Sequence, residues 1–311
     1  MKIFDPQNMN GVIPAMITSF NKDESINKEG IRKTVNYLIS QKVNGLYITG
    51  STGETFLMSP EEKKRVIEII VEEANGRVPV IAHIGSIGTK LTIDLGQYAE
   101  KIGVNALSAL PPFYYSFTND EIFNYYNDIS NSSKLPIIVY NISHANLMDL
   151  DMLKRLALIQ NVKGVKYTAS THFNFSKIKK EIGESFKIYS GMDEMALSGM
   201  ISGADGIIGS FYNLMPEMFI NIFEQVKKNN INEAKKIQEK INIIILYALK
   251  KSGYPFIKMG LKWLDVDSGY VRRPLKSIVD SENEKIIIEE LKILSKENDL
   301  SGIKFRKFVK I

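Results

Sequence analysis

Lys166 stands inside the short apolar run "GVKYTAS" (164–170), an unusual place for a lysine. Taking an ammonium out of water is expensive, and chains usually leave the lysine head in solvent with only its stem packed. At a strand end turned to solvent the residue would be ordinary. Held in a closed site, its amine would be neutral near pH 7 and nucleophilic. A neutral amine condenses with a carbonyl, and the protonated imine is an electron sink for a carbanion on the next carbon. An adjacent C–C bond can then break or form, which is class I aldolase chemistry. It needs no metal or other cofactor, and the sequence shows no His/Asp/Glu cluster at metal-ligand spacing.

Tyr140 ends the run "LPIIVYN". Tyrosines at such places are commonly core residues with a satisfied hydroxyl; beside an imine-forming lysine, the phenol can carry protons to and from the substrate. The stretch "GSTGE" (50–54) is glycine-flanked, so its backbone can turn N–H groups outward beside the hydroxyls of Ser51 and Thr52. Such a nest suits a small anion, here the carboxylate of a 2-oxo acid, although the pattern also fits a plain strand-to-helix turn. It is no P-loop, because the Lys-Ser/Thr ending is missing. Asp193 and Glu194 follow a glycine in "GMDE". Acidic residues at a helix start complement its dipole, and two carboxylate acceptors also suit a polyhydroxylated chain. His83, His144 and His172 form no triad with a nucleophile and read as structural.

A repeated strand–helix unit must position these residues. Short β-branched runs, "GVIPAMIT", "GLYITG", "VPVIAHIG", "ALSALPP", "LPIIVYN", "GVKYTA", "FKIYSG" and "GIIGS", alternate with amphipathic stretches such as "KEGIRKTVNYLISQK" and "DEIFNYYNDIS". Helix starts are legible at Ser59-Pro60 with Glu62, and at Thr118 before Asp120 and Glu121. About eight such units predict an α/β fold, a (β/α)8 TIM barrel over 1–225. After "GIIGS" the pattern is helical, which predicts a C-terminal helical extension over 226–311 packed on the barrel. An open doubly wound sheet is disfavoured, since no G-x-G-x-x-G turn follows the first strand. In a barrel, chemistry gathers at the C-terminal strand ends, and that rule selects "GSTGE", "YN", "VKYT", "GMDE" and "GSFYN" together.

Composition narrows the function classes. The 311 residues are 44% hydrophobic and 24% charged, as in an ordinary soluble domain. The net charge of +5 is spread over mixed runs such as "PEEKKRVIEIIVEEANGR", so no nucleic-acid partner is expected. The compact basic tail "GIKFRKFVKI" reads as a segment laid on the protein surface. No apolar run approaches the roughly 18 residues of a membrane span. The opening "MKIFDPQNMN" has no apolar h-region, and there is no cysteine, so a cytoplasmic location is expected.

On the motifs "GLYITGSTGETF", "VYN", "GVKYT" and "GADGIIGS", the chain resembles the N-acetylneuraminate lyase branch of the dihydrodipicolinate synthase/N-acetylneuraminate lyase family, over nearly its whole length. The resemblance implies a homotetramer of TIM barrels that cleaves N-acetylneuraminate reversibly to N-acetylmannosamine and pyruvate. It makes Lys166 the imine lysine and Tyr140 the proton shuttle. Ser51 and Thr52 become carboxylate binders, with Tyr47 behind them in the hydroxyl network. Tyr114, in "PPFYY", resembles a tyrosine lent by a neighbouring subunit. Thr168, Gly191, Asp193, Glu194 and Ser210 match positions that hold the sugar part.

The synthase branch carries an arginine five residues after the strand-five tyrosine, where this chain has Ala145, and it lacks the Asp-Glu pair. The chain also departs from the lyase pattern: Ser143 gives "YNIS" for "YNIP", and Phe211 replaces the threonine of "GSTYN". These positions border the aldehyde side of the substrate. Other aldolases or dehydratases of 2-oxo-3-deoxy sugar acids, and dihydrodipicolinate synthase, share the fold and the imine. A barrel that only bound or regulated would have no need of Lys166, Tyr140 and "GSTGE" together.

Overall fold

The eight β-branched runs form eight parallel strands in a computed structural model that describes residues 9–305. They are β1 (Gly11–Pro14), β2 (Leu46–Ile48), β3 (Val80–His83), β4 (Ala106–Ala109), β5 (Ile137–Ile142), β6 (Val162–Thr168), β7 (Lys187–Ser190) and β8 (Gly206–Gly209). Helices α1 (Lys28–Ser40), α2 (Pro60–Ala74), α3 (Thr89–Ile102), α4 (Asn119–Ser132), α5 (Leu150–Ala157), α6 (Asn174–Ile182), α7 (Ala196–Ile201) and α8 (Pro216–Lys227) follow the strands in turn. The pairing order is β1-β8-β7-β6-β5-β4-β3-β2. The remaining seam is bridged in parallel at Ala15 and Tyr47, where the Met16 N–H donates to the Tyr47 carbonyl at 2.8 Å. The sheet is therefore a closed (β/α)8 barrel.

Local chemistry explains where the helices begin. Ser59 and Thr118 each accept a hydrogen bond from the N–H of the glutamate three residues on, and Glu62 and Glu121 reach back to the cap N–H. Each capping box satisfies two otherwise unpaired donors, and losing such a cap costs about 1 kcal/mol.

The strands are short and buried on both faces. Val139, Val165, Tyr167 and Ile188 face the helix shell, whereas Ile13, Ile81, Ala106, Ile138, Tyr189 and Ile208 fill the barrel interior. Side chains alternate along a strand with period two. On β6, Val165 and Tyr167 point outward, so Lys166 and Thr168 point inward, at the end of the strand where the interior opens. Lys166 is only 5% exposed.

Beyond α8 come α9 (Ile231–Lys251), α10 (Tyr254–Lys262) and α11 (Glu282–Glu297). They share one apolar cluster with β1, β8 and α8, in which Phe219 and Ile222 meet Ile237, Ile241 and Ile244. The domain boundary expected after residue 225 falls inside α8, which runs to Lys227. Helix α10, which opens at Gly253 with Pro255 in its first turn, adds an element that the helical pattern of the sequence does not mark. Of the basic tail, Ile303 and Phe305 are buried in the C-terminal cluster, and residues 306–311 lie outside the described residues. So do residues 1–8 of the opening stretch read for a signal. Among the described residues no helix is long and apolar enough to cross a membrane.

Candidate active site

A cleft of about 640 Å³ opens at the C-terminal ends of the strands. That volume suits a small organic ligand. Its floor holds Lys166 and Tyr140, which are register partners across β5 and β6. The Lys166 Nζ lies 4.1 Å from the centre of the Tyr140 ring and 4.4 Å from that of Tyr47. Burial among these rings pushes the Lys166 amine down to about 7, and the negative charge of Asp193 pulls back the other way. A lysine that is largely neutral at pH 7 needs this environment. Burial likewise raises the Tyr140 phenol to about 12, while the hydroxyls of Ser51 and Thr168 favour its ionised form and limit the rise.

The turn 50–54 forms the wall after β2. Thr49 and Glu54 bracket it with φ of 53° and 60°, in the left-handed region, which is costly for a β-branched residue such as Thr49. The Thr49 hydroxyl donates to the His83 carbonyl at 2.8 Å, and His83 Nδ1 lies 3.2 Å from the Thr49 carbonyl. His83 Nε2 accepts from the Leu110 N–H at 3.4 Å, so Nδ1 carries the proton. Burial drives this imidazole down to about 3, helped by the charges of Lys63 and Lys166. It is a neutral strut beneath the mouth. Ser51 and Thr52 line the cleft, and the Thr52 and Ser210 hydroxyls are 2.6 Å apart, joining the turns after β2 and β8.

Across the cleft, the Asp193 carboxylate accepts the N–H groups of Ser210 at 3.2 Å and Phe211 at 2.7 Å. Burial raises it to about 7; the Phe211 N–H opposes the rise and neighbouring Glu194 adds to it. A Cβ on Gly209 would overlap the Asp193 carboxylate, and one on Gly191 would overlap the Thr168 hydroxyl, so both glycines are demanded by close approach. The outer wall is apolar, with Phe211 and Ala145 facing Ile245 and Leu249 of α9. No arginine stands among the residues lining the cleft.

The sequence of residues 8–293 matches the profile of the dihydrodipicolinate synthetase family. The chain belongs to this family. Among its relatives, the N-acetylneuraminate lyase of Fusobacterium nucleatum is 40% identical over 273 residues, covering 87% of this chain and 94% of that protein. The crystal structure of that lyase with pyruvate superposes at a TM-score of 0.86 and 39% identity, over 94% of this chain and 98% of the other. The Clostridium difficile protein CdNal, solved with mannosamine, gives a TM-score of 0.87 and 35% identity, over 97% and 99% of the two chains.

Of the residues the family resemblance singled out, Ser51, Thr52, Tyr140, Lys166, Thr168, Gly191, Asp193, Glu194 and Ser210 all line the one cleft. Two do not. Tyr47 is buried in the barrel, its hydroxyl donating to Ser108 Oγ at 3.1 Å and its ring beneath Lys166. It shapes the lysine's surroundings rather than continuing the Ser51–Thr52 hydroxyls. Tyr114 is 77% exposed, its ring centred 5.0 Å from that of Tyr115 and outside the cleft of its own chain. Of the histidines read as structural, His83 is a buried strut and His172 Nδ1 lies 2.9 Å from Ser198 Oγ, but His144 is exposed on the cleft wall.

The sequence reading missed what the family's C-terminal helices do for the site. Gln238 and Asn242, one turn apart on α9, donate to the Asp193 carbonyl at 3.2 Å and the Glu194 carbonyl at 3.1 Å. Lys258 on α10 is wholly buried, with its Nζ 2.6 Å from Glu54. A signal existed for Lys258. It stands in the apolar run "FIKMGL" (256–261), as odd there as Lys166 is in its own.

Proposed function

We propose that the chain is an N-acetylneuraminate lyase, splitting N-acetylneuraminate reversibly into N-acetylmannosamine and pyruvate through an imine on Lys166. The observation that carries this reading is the buried Lys166, its amine brought down to about 7 beside the Tyr140 ring and within one cleft with Ser51, Thr52 and the Asp193–Glu194 turn. Relatives that cover most of the chain are themselves named N-acetylneuraminate lyases.

The steps follow from the placement of the groups. Ser51 and Thr52, with the backbone of their turn, take the substrate carboxylate and hold the 2-oxo carbon toward Lys166. The neutral amine adds to that carbon and one of its protons passes to the oxygen; the Tyr140 phenol gives the second, and the oxygen leaves as water, leaving the protonated imine. The Tyr140 phenolate, favoured by the Ser51 and Thr168 hydroxyls, takes the proton of the C4 hydroxyl as the C3–C4 bond breaks. The bonding pair flows into the imine, giving an enamine and the free aldehyde. Protonation at C3 and hydrolysis release pyruvate and regenerate Lys166.

Thr168, Gly191, Glu194 and Ser210 face the sugar half, and Asp193 holds the β8 turn while carrying unused lone pairs toward the cleft. Tyr114, exposed on its own chain, belongs in this reading to the site of a neighbouring subunit of a homotetramer. The compartment we assign is the cytoplasm, in keeping with the cysteine-free chain.

The test is pyruvate release from N-acetylneuraminate and from a panel of 2-oxo-3-deoxy sugar acids, beside condensation of pyruvate with aspartate semialdehyde. With Glu194 present and no arginine in the cleft, cleavage of N-acetylneuraminate is expected and semialdehyde condensation is expected to be negligible. An unsatisfied buried polar group costs about 1–3 kcal/mol, more when charged, so the discrimination is large. Glu194→Ala should weaken use of the sugar acid and leave the pyruvate imine intact. Efficient semialdehyde condensation would place the chain in the synthase branch instead.

A further inference from the structure

The turn that carries Ser51 and Thr52 ends on a charged residue sealed inside the protein. Glu54 is buried, and its carboxylate is shared between two C-terminal groups: Oε1 accepts from Lys258 Nζ at 2.6 Å, and Oε2 accepts from the Arg272 N–H at 2.8 Å. The Lys258 ammonium spends its other two protons on the carbonyls of Thr18, at 2.7 Å, and Tyr270, at 2.6 Å. All three donors are used, and neither side chain meets solvent, at 0% and 1% exposure. The Arg272 guanidinium then donates to the Leu57 carbonyl at 2.8 Å and to Glu62, the residue that completes the cap of α2. The C-terminal segment thus holds the last residue of the turn and the chain that follows it, on either side of Phe56.

Such a pair is poorly explained as a source of stability. Removing two ions from water costs several kcal/mol each, and apolar groups of the same volume often fold as well or better. What a saturated buried pair does supply is geometry, because each charge accepts few other arrangements. Here that geometry is imposed on a turn that also holds Thr49 and Glu54 in left-handed backbone and places the Thr52 hydroxyl against Ser210.

We propose that Glu54 and Lys258 are a positioning pair, through which the C-terminal extension sets Ser51 and Thr52 at the distance from Lys166 that a 2-oxo carboxylate requires. Neither residue touches the substrate. The inference rests on the carboxylate role given above to Ser51 and Thr52. It predicts that disturbing the pair weakens capture of the 2-oxo acid and leaves the acid–base behaviour of Lys166 alone.

The experiment is borohydride trapping of pyruvate on the full-length protein, read as the pyruvate concentration giving half-maximal adduct, with the pH profile of trapping and thermal melting recorded in parallel. Lys258→Met strands the Glu54 charge and is expected to lower stability as well as binding. The decisive variant is Glu54→Gln with Lys258→Met, in which both charges go and the glutamine amide can still meet the Arg272 N–H and a neighbouring carbonyl. It should melt near the native temperature, keep the native pH midpoint, and need about tenfold to a hundredfold more pyruvate, as a small misplacement of binding groups does. Glu54→Asp, which keeps the charge and retracts the turn by one methylene, should show the same shift more weakly. Native half-saturation in the folded double variant, or in Glu54→Asp should the double variant not fold, would overturn the proposal. Failure of the native protein to form an adduct on Lys166 would instead refute the function it rests on.

Discussion

Tyr140 and Lys166 face each other across the β5–β6 ladder as direct register partners, the amine 4.1 Å from the ring centre. The ring face covers the ammonium and shuts out water, and the residual charge is tolerated through the ring's quadrupole. Strand register, not loop conformation, fixes this relationship, so it tolerates little variation. In the proposed mechanism it brings a nucleophile and a proton carrier to the same substrate carbon, and burial moves the proton affinity of both.

The first consequence concerns pH. The Lys166 amine attacks only when neutral, and its proton is lost at about 7 in the folded protein. At fixed subsaturating pyruvate, the rate of borohydride-trapped adduct should rise as pH increases through about 7 and then level. Asp193 raises the affinity of Lys166 for its proton, so Asp193→Asn should move the midpoint to lower pH. A midpoint near the ordinary lysine value would contradict the buried amine.

Tyr140→Phe keeps the ring over Lys166 and removes the proton. Turnover of N-acetylneuraminate should fall by roughly 10²–10⁴-fold, the range of general acid–base groups, with the circular dichroism spectrum unchanged. Normal turnover in this variant would return the phenol to a packing role.

Burying Lys166 costs stability, and the sign is definite. Its folded value lies below the ordinary lysine value, so from about pH 7 upward the unfolded chain binds more protons and stability increases with pH. At and below neutral pH the cost is fully present. Lys166→Met should be inactive yet melt a few degrees higher at pH 6, with the gain shrinking toward pH 9, because the native lysine is then neutral when folded and its burial costs less. A variant less stable than the native protein at pH 6 would show that the lysine contributes to folding.

Gly209→Ala places a methyl where the Asp193 carboxylate packs. Overpacking of this kind costs about 1–3 kcal/mol, and here it also displaces the acceptor of the Ser210 and Phe211 N–H groups. The expected result is a lower melting temperature with a larger loss in sugar-acid cleavage than in pyruvate adduct formation. Equal losses in both would mean that the methyl disturbs the whole mouth.

The sequence alone determined the barrel, because strand and helix periods differ and alternate eight times, and it determined Lys166 and Tyr140, because polar groups ending consecutive apolar strands must meet at one rim. The motif "GSTGE" and the pair Asp193–Glu194 were legible for the same reason. Only the tertiary structure decided what lies behind them. Tyr47 proved to be a buried wall under the lysine, since inward and outward strand positions become a cavity only when the sheet closes. Glu54, Lys258, Gln238 and Asn242 gained their roles from contacts between residues tens or hundreds of positions apart. A buried charge is chemically intelligible only with its partner in view, and chain order does not say which partner folding will bring.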